Sequence, residues 1–342
     1  MTSERPKFGV MDQGWAAPEM SDATSVGLTL DAIRIAEDLG FDSAWVGQHH
    51  HRRDDAPFWG RIPATEVFLA YAGAKTNRIA LGTGVRVLST TTALRTAEEM
   101  SLLSLLLDGR VDFGIGLGAQ HNDSRSAEEK GEIFRRLLDE LLAVLSDDPE
   151  TGLLPLSPTS PVDLRTRLFA AARDETTLAH LARTGVNLVV GQAEPGETQA
   201  DYIRLYRKLG GKGETRGVRI VFLAPTRQQA IEDCAEAADL YFDLMSKGGY
   251  YKLAVQRGLI PEVPRSREEM LEAIHFIAGT PDEVIEELNA HLAVTGLDRL
   301  DAMIQLPRMD PAHVRRTMAL LQQEVRPHLV YRPYGADARE VA

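Results

Sequence analysis

The chain has 342 residues, 44% hydrophobic and 26% charged, with one cysteine and a formal charge of −12 at pH 7. A single cysteine excludes an internal disulfide and a cysteine-based metal cluster, and a net acidic chain lacks the basic footprint of a nonspecific nucleic-acid binder. The opening MTSERPKFGVMDQG has no apolar signal core and no run of about 18 apolar residues follows it, so a soluble, cytoplasmic protein without membrane contact is expected.

Short apolar runs rich in β-branched residues alternate with amphipathic helical stretches. The first predicted strand covers residues 7–11, followed by a helix over 25–39 and a second strand over 43–47. The second strand runs out into Gln48-His49-His50-His51. A third strand over 79–88 contains Gly82, Gly84 and Val85. The helix predicted over 92–107 repeats Leu94, Ala97, Met100, Leu103, Leu106 and Leu107, which reads as one buried face.

A fourth strand over 111–117 carries Gly114 and Gly116 and leads into Leu117, Gly118 and Ala119; a helix over 131–145 follows. The Pro/Ser-rich stretch 155–161 is too short for an interdomain linker and reads as a long loop. Strands at 166–171, 186–190 and 218–223 come next, then a helix over 228–244 in which Cys234 is expected as a small core residue. Residues 245–269 break the alternation with Gly248-Gly249, two tyrosines, Pro261 and Pro264. This insertion reads either as a lid over the site or as a packed helix with irregular ends. The last strand is predicted over 300–306.

Alternating strands and helices imply parallel strands with right-handed crossovers, and eight such units close most naturally into a barrel. An open doubly wound sheet would carry a glycine-rich turn after its first strand, which is missing here. The expected fold is therefore α/β: a (β/α)8 TIM barrel, one domain over residues 1–342, with an insertion at 245–269 after the seventh βα unit.

Such barrels keep their chemistry at the C-terminal ends of the strands. His49 stands there, and an imidazole can hydrogen-bond a reactive oxygen species or take a proton near neutrality. The alternatives are solvated loop histidines, a backbone-satisfied buried histidine, or a metal site with Asp54 and Asp55, although no recognised ligand spacing is present. The glycines of the third and fourth strands allow either close approach of a flat ring or tight packing, and Gly116 to Ala119 expose amides that could cradle a phosphate. After the fifth strand, Arg173, the N-capping Asp174 and Thr177 suit an anion at a helix start.

Leu39-Gly40-Phe41-Asp42-Ser43-Ala44-Trp45 leading into Gln48-His49-His50 resembles the bacterial luciferase-like flavin monooxygenases. So do Arg95-Thr96-Ala97-Glu98-Glu99, Asp108-Gly109-Arg110-Val111-Asp112-Phe113-Gly114-Ile115-Gly116, and Gly279-Thr280-Pro281-Asp282-Glu283-Val284 with Thr295-Gly296-Leu297. The resemblance runs along nearly the whole chain. It implies a (β/α)8 barrel using reduced FMN, or in one branch F420. It also implies a flavin reductase partner, a homodimer, and oxygenation of a small-molecule substrate through a flavin C4a-(hydro)peroxide.

By the same resemblance His49 matches the family's catalytic histidine, and Gly84–Val85 lies where the family often has a non-proline cis peptide beside the flavin ring. Gly116 lies near the reactive carbon; Leu117, Gly118, Ala119, Arg173, Asp174 and Thr177 surround the phosphate. Two departures stand out. The family's Glu-His-His is Gln48-His49-His50 here, and Leu117 replaces a phosphate-facing arginine, so either Arg173 takes over that role or FMN binds weakly and dissociates between turnovers. The competing functions are an F420-dependent oxidoreductase, a non-catalytic flavin-binding protein, and a metal-dependent barrel hydrolase.

Overall fold

The structure, a computed structural model, describes residues 7–51, 56–118, 125–146, 152–247, 250–256, 258–273 and 276–331. Eight parallel strands form its centre: β1 (Lys7–Asp12), β2 (Ser43–Val46), β3 (Ala80–Val87), β4 (Val111–Gly116), β5 (Leu168–Ala171), β6 (Asn187–Val190), β7 (Thr215–Leu223) and β8 (Arg299–Met303). Each pairs with the next, and β8 returns to β1 with Phe8 opposite Leu300, so the sheet closes. All eight predicted strands are present in a TIM barrel. Its ends shift by a few residues: a 3-10 turn over Leu164–Arg167 takes the start predicted for β5.

Helices separate the strands, and their ends are written in the sequence. The helix α1 (Asp22–Leu39) begins at Ser21, whose hydroxyl accepts the Thr24 N–H, and ends at the left-handed Gly40. Then come α2 (Thr65–Gly73), α3 (Ala93–Leu106) and α4 (Ala127–Val144), the last opened by a Ser126/Glu129 capping box. Beyond β5 and β6 lie α5 (Glu175–Thr184) and α6 (Gly196–Lys208). Among the described residues no helix is long and apolar enough to cross a membrane.

Three expectations change. The single buried face of α3 is two faces: Ala97, Met100 and Leu103, with Leu107 just beyond the helix, are buried, whereas Leu94 and Leu106 are 54% and 59% exposed. Steps of three and four from Ala97 define the core stripe; Leu94, Leu102, Leu105 and Leu106 fall beside it, flanked by exposed Val67 and Tyr71 of α2. The helix predicted over 228–244 is broken at buried Cys234 into α7 (Arg227–Asp233) and α8 (Ala235–Lys247). A short strand, Ile277–Gly279, pairs with β7 outside the barrel and was not expected.

Between α8 and that strand lie α9 (Tyr250–Gln256) and α10 (Arg267–Ala273), so the inserted region is mostly helical. Tyr251, Ala254 and Ile260 are buried in the core cluster. Gly248 and Gly249 lie outside the described residues.

The barrel interior is not purely apolar. Arg216 and Asp301, both 1% exposed, form an ion pair, and the Arg216 guanidinium lies 3.5 Å over the Trp45 ring. Arg299 donates to Asp112 at 2.6 Å. Burial pushes the Asp301 carboxyl up and the Arg216 guanidinium down. Arg216, Arg299 and Asp112 stand at or next to the starts of their strands and Asp301 at the middle of its own, so these charges fill the N-terminal part of the barrel. Removing one partner would strand a buried charge at a cost of about 3–5 kcal/mol.

Candidate active site

β1 and β2 end side by side, and the loops they enter hold His49. The backbone N–H of Gly47 donates to the Asp12 carbonyl, and that of His49 donates to Ile62. The His49 Nε2 is 2.9 Å from the side-chain Oε1 of Gln13. Its ring centroid is 6.0 Å from that of Trp15, which in turn lies 5.1 Å from Phe58 and 6.0 Å from Tyr241 of α8. Burial in this aromatic surround lowers the His49 pKa to about 4, with His50 adding a smaller push in the same direction. The imidazole is neutral at pH 7.

Gln48, which replaces the family's carboxylate, does not reach for His49. Its Oε1 accepts the Val87 N–H at 2.7 Å and its Nε2 donates to the Pro63 carbonyl at 2.9 Å. It ties the end of β3 to the loop before α2. The protonation state of His49 is set instead by burial and, more weakly, by His50. Asp54 and Asp55, the partners of the metal reading, lie outside the described residues.

β3 and β4 lie next in the barrel. Gly84–Val85 is a cis peptide, and the β3–β4 register shifts between Thr83 and Arg86. The glycines here are accounted for by packing. A Cβ on Gly116 would come within 2.9 Å of Val85, one on Gly84 within 2.6 Å of Met11, and one on Gly118 within 2.7 Å of Val87. Ser89 donates its hydroxyl to the Leu117 carbonyl at 3.1 Å. The expected pair of loops is thus knit together at the barrel mouth, while Ala119 lies outside the described residues.

Beyond β5, Arg173 is half-exposed and its Nε is paired with the buried Glu194 carboxylate, which raises the guanidinium pKa further. Glu194 follows β6; its other oxygen accepts the Gly191 N–H at 2.8 Å and its carbonyl accepts from Arg219 at 2.6 Å. Asp174 caps α5 by accepting the Thr177 N–H at 2.8 Å, so that amide is already used. The Thr177 hydroxyl accepts from Arg135 of α4 at 3.0 Å, and Arg135 stands 3.8 Å from Asp174. Two guanidinium groups, Arg173 and Arg135, therefore flank this strand end. That donor set could hold a phosphate through the cations, the Thr177 amide being held by Asp174.

Gln13, Trp15 and Glu194 escaped the sequence reading although each follows a strand's C-terminal end, a position that could have flagged them. Arg135 lies within α4 and Tyr241 within α8, and neither carried a signal. Burial pushes the Cys234 thiol up to about 12, which disfavours its nucleophilic thiolate form.

A family model described as luciferase-like monooxygenase matches residues 6–299. N-acetyl-S-alkylcysteine monooxygenase of Bacillus subtilis is 26% identical over 299 residues, covering 82% of this chain and 87% of its own. The fold matches the oxygenating constituent of the Pseudomonas putida 3,6-diketocamphane monooxygenase, solved with FMN, at a TM-score of 0.73 and 19% identity, over 96% of this chain and all of that one. It also matches the coenzyme F420-dependent tetrahydromethanopterin reductase of Methanopyrus kandleri at a TM-score of 0.64 and 16% identity, over 95% and 100%.

Proposed function

The chain belongs to the luciferase-like monooxygenase family, whose members are flavin-dependent oxidoreductases, and from that premise we propose that it is a cytoplasmic, FMN-dependent two-component monooxygenase. It takes reduced FMN from a separate reductase and uses O2 to oxygenate a small organic substrate. The observation that carries this reading is the pairing, at one barrel mouth, of a neutral imidazole at His49 with an arginine at 173 oriented by a buried carboxylate. One end of that mouth suits uncharged redox chemistry and the other a phosphate.

Reduced FMN, when bound, supplies the electrons that activate oxygen. Arg173 and Arg135 hold its phosphate near Asp174 and Thr177. The backbone of Gly84, Val85, Gly116, Leu117 and Gly118 would border the cofactor. His49 hydrogen-bonds the reacting oxygen or the substrate, and Trp15, Phe58 and Tyr241 exclude water from it. The whole chain acts as one domain, with residues 245–269 as its lid. The Tyr250 hydroxyl supports the lid role, because it donates to the Ala193 carbonyl at 2.8 Å, one residue before Glu194. The exposed leucines of α3 with Val67 and Tyr71 of α2 support a homodimer through that face.

The F420 reading draws on the Methanopyrus likeness and predicts hydride transfer without oxygen. Anaerobic titration with reduced FMN and with reduced F420, followed by admission of O2, separates the two. Tight binding of reduced FMN and a reoxidation course different from that of free flavin is the expected result. Binding of F420 alone, or FMN reoxidation identical to the free cofactor, would refute the oxygenase.

A further inference from the structure

We propose that Gln13 is a positioning residue that sets the tautomer of His49: its side-chain carbonyl accepts a hydrogen bond from the Nε2–H, which leaves the ring's lone pair on Nδ1. The catalytic consequence rests on the oxygenase reading, but the tautomer itself does not. The distance is 2.9 Å between Nε2 and Gln13 Oε1, within the ordinary range for such a bond. A neutral imidazole has one donor and one acceptor nitrogen, and the partner of one decides the role of the other.

The surroundings are built around this contact. A Cβ on Gly47 would overlap Gln13 Oε1, and a Cβ on Gly60 would overlap the His49 ring, so both close approaches require glycine. Gly60 is held there by antiparallel pairing of Trp59–Gly60 with Trp15–Ala16, and the Arg61 N–H donates to the Gly14 carbonyl. Asp12, beside Gln13, accepts the Gly14 N–H at 2.7 Å and fixes the turn from which Gln13 reaches out. Chain order places Gln13 and His49 on different loops; the parallel pairing of β1 with β2 brings them together.

The charged groups around the ring leave Gln13 as the one that addresses it. The neighbouring His50 disfavours a second positive charge. The Asp12 carboxylate, raised to about 6 by burial, faces Gly14 and Thr29 rather than the imidazole. Arg61 pairs with Asp22 and lies 4.1 Å over Trp59. Tyr241 touches Trp15. Among the described residues nothing else hydrogen-bonds the His49 ring, so Nδ1 keeps its lone pair for a donor on the substrate or on the oxygen being transferred. His49 thus works as a hydrogen-bond acceptor and proton acceptor at Nδ1, and never as a resting cation.

The test is long-range 1H–15N correlation NMR on the full-length protein labelled at histidine, with the His49 signals identified by their loss in His49→Ala. A protonated Nε2 and an unprotonated Nδ1, unchanged from pH 8 to about 5.5, are expected. Gln13→Glu keeps the acceptor and adds a charge, so the proton affinity of the ring should rise about 10- to 1000-fold and its titration should move up toward neutrality. A wild-type ring protonated on Nδ1, or cationic at pH 7, overturns the proposal without any variant. So does a folded Gln13→Glu protein whose His49 titrates as in the wild type. If the tautomer is as stated while His49→Ala retains full turnover, the oxygenase reading of His49 fails and the assignment of Gln13 stands.

Discussion

Replacing Arg173 with alanine should loosen FMN while sparing riboflavin, because only FMN carries the phosphate. A charge-assisted hydrogen bond of this kind contributes about 1.5–3 kcal/mol. The guanidinium is half-exposed and already shares its charge with Glu194, so solvent screening and neutralisation put the expected loss near the lower end, about tenfold in Kd. A second effect comes with it. Glu194 is only 3% exposed at its side chain, and Arg173→Ala removes its ion-pair partner, leaving the buried Arg219 as the cation that still acts on it. The less compensated negative charge would both destabilise the fold and repel the phosphate. Arg173→Ala/Glu194→Gln separates the two effects, since the amide can still accept the Gly191 N–H that Glu194 now holds at 2.8 Å. Fluorescence titrations with FMN and riboflavin, beside thermal melts, give the ordering. The single variant should bind FMN most weakly and melt lowest, the double variant should recover stability, and riboflavin affinity should stay level in the double. Equal losses of FMN and riboflavin affinity in the double variant would refute the phosphate role.

His49→Ala should reduce coupled turnover about 10²- to 10⁴-fold, the range for acid–base groups, with flavin affinity retained; turnover near wild type would remove His49 from the mechanism. Because the fold holds His49 near pKa 4 against about 6.5 in an unfolded chain, the unfolded state takes up a proton that the folded state refuses. Its contribution to stability is therefore whole above about pH 6.5 and is lost as pH falls toward 4. The stability difference between wild type and His49→Ala, measured by denaturant titration, should change across that window, and a constant difference would contradict the buried neutral ring. Leu106→Glu with Val67→Glu should convert a dimer into a monomer in light scattering with turnover per chain at saturating flavin retained; an unchanged mass would place any dimer contact elsewhere. Proteolysis within residues 245–269 should slow when flavin and substrate are bound, and Tyr250→Phe should raise hydrogen peroxide release per O2 consumed; unaltered coupling would deny these residues a water-excluding role.

The barrel was legible because its information is local. Strand runs such as 43–47 and 111–117 carry β-branched residues between glycine and polar breaks, and the Asp174 cap after the fifth strand was read from its position, whereas the Ser126/Glu129 cap was missed by a helix start placed at 131. Strict alternation then left closure as the economical arrangement. The second face of α3 was not legible, because a leucine facing the core and a leucine facing outward have the same intrinsic preference; α2 and the barrel determine which of them find cover. The break at Cys234 was hidden for a similar reason, since Gln228 to Leu244 holds a helical pattern throughout and only tertiary packing divides it.

For the site, strand ends pointed to the histidines at 49–51, the glycines of the third and fourth strands and Arg173, since a barrel displays its strand ends at one mouth; the resemblance singled out His49, Gly84 and Gly116 among them. Tertiary structure alone decided their partners. Gln13 meets His49 across 36 residues and Glu194 meets Arg173 across 21, distances over which no periodicity speaks. Burial did the rest: the same imidazole would titrate near neutrality in water, and it is the apolar surround of Trp15 and Phe58, assembled from separate loops, that keeps His49 uncharged.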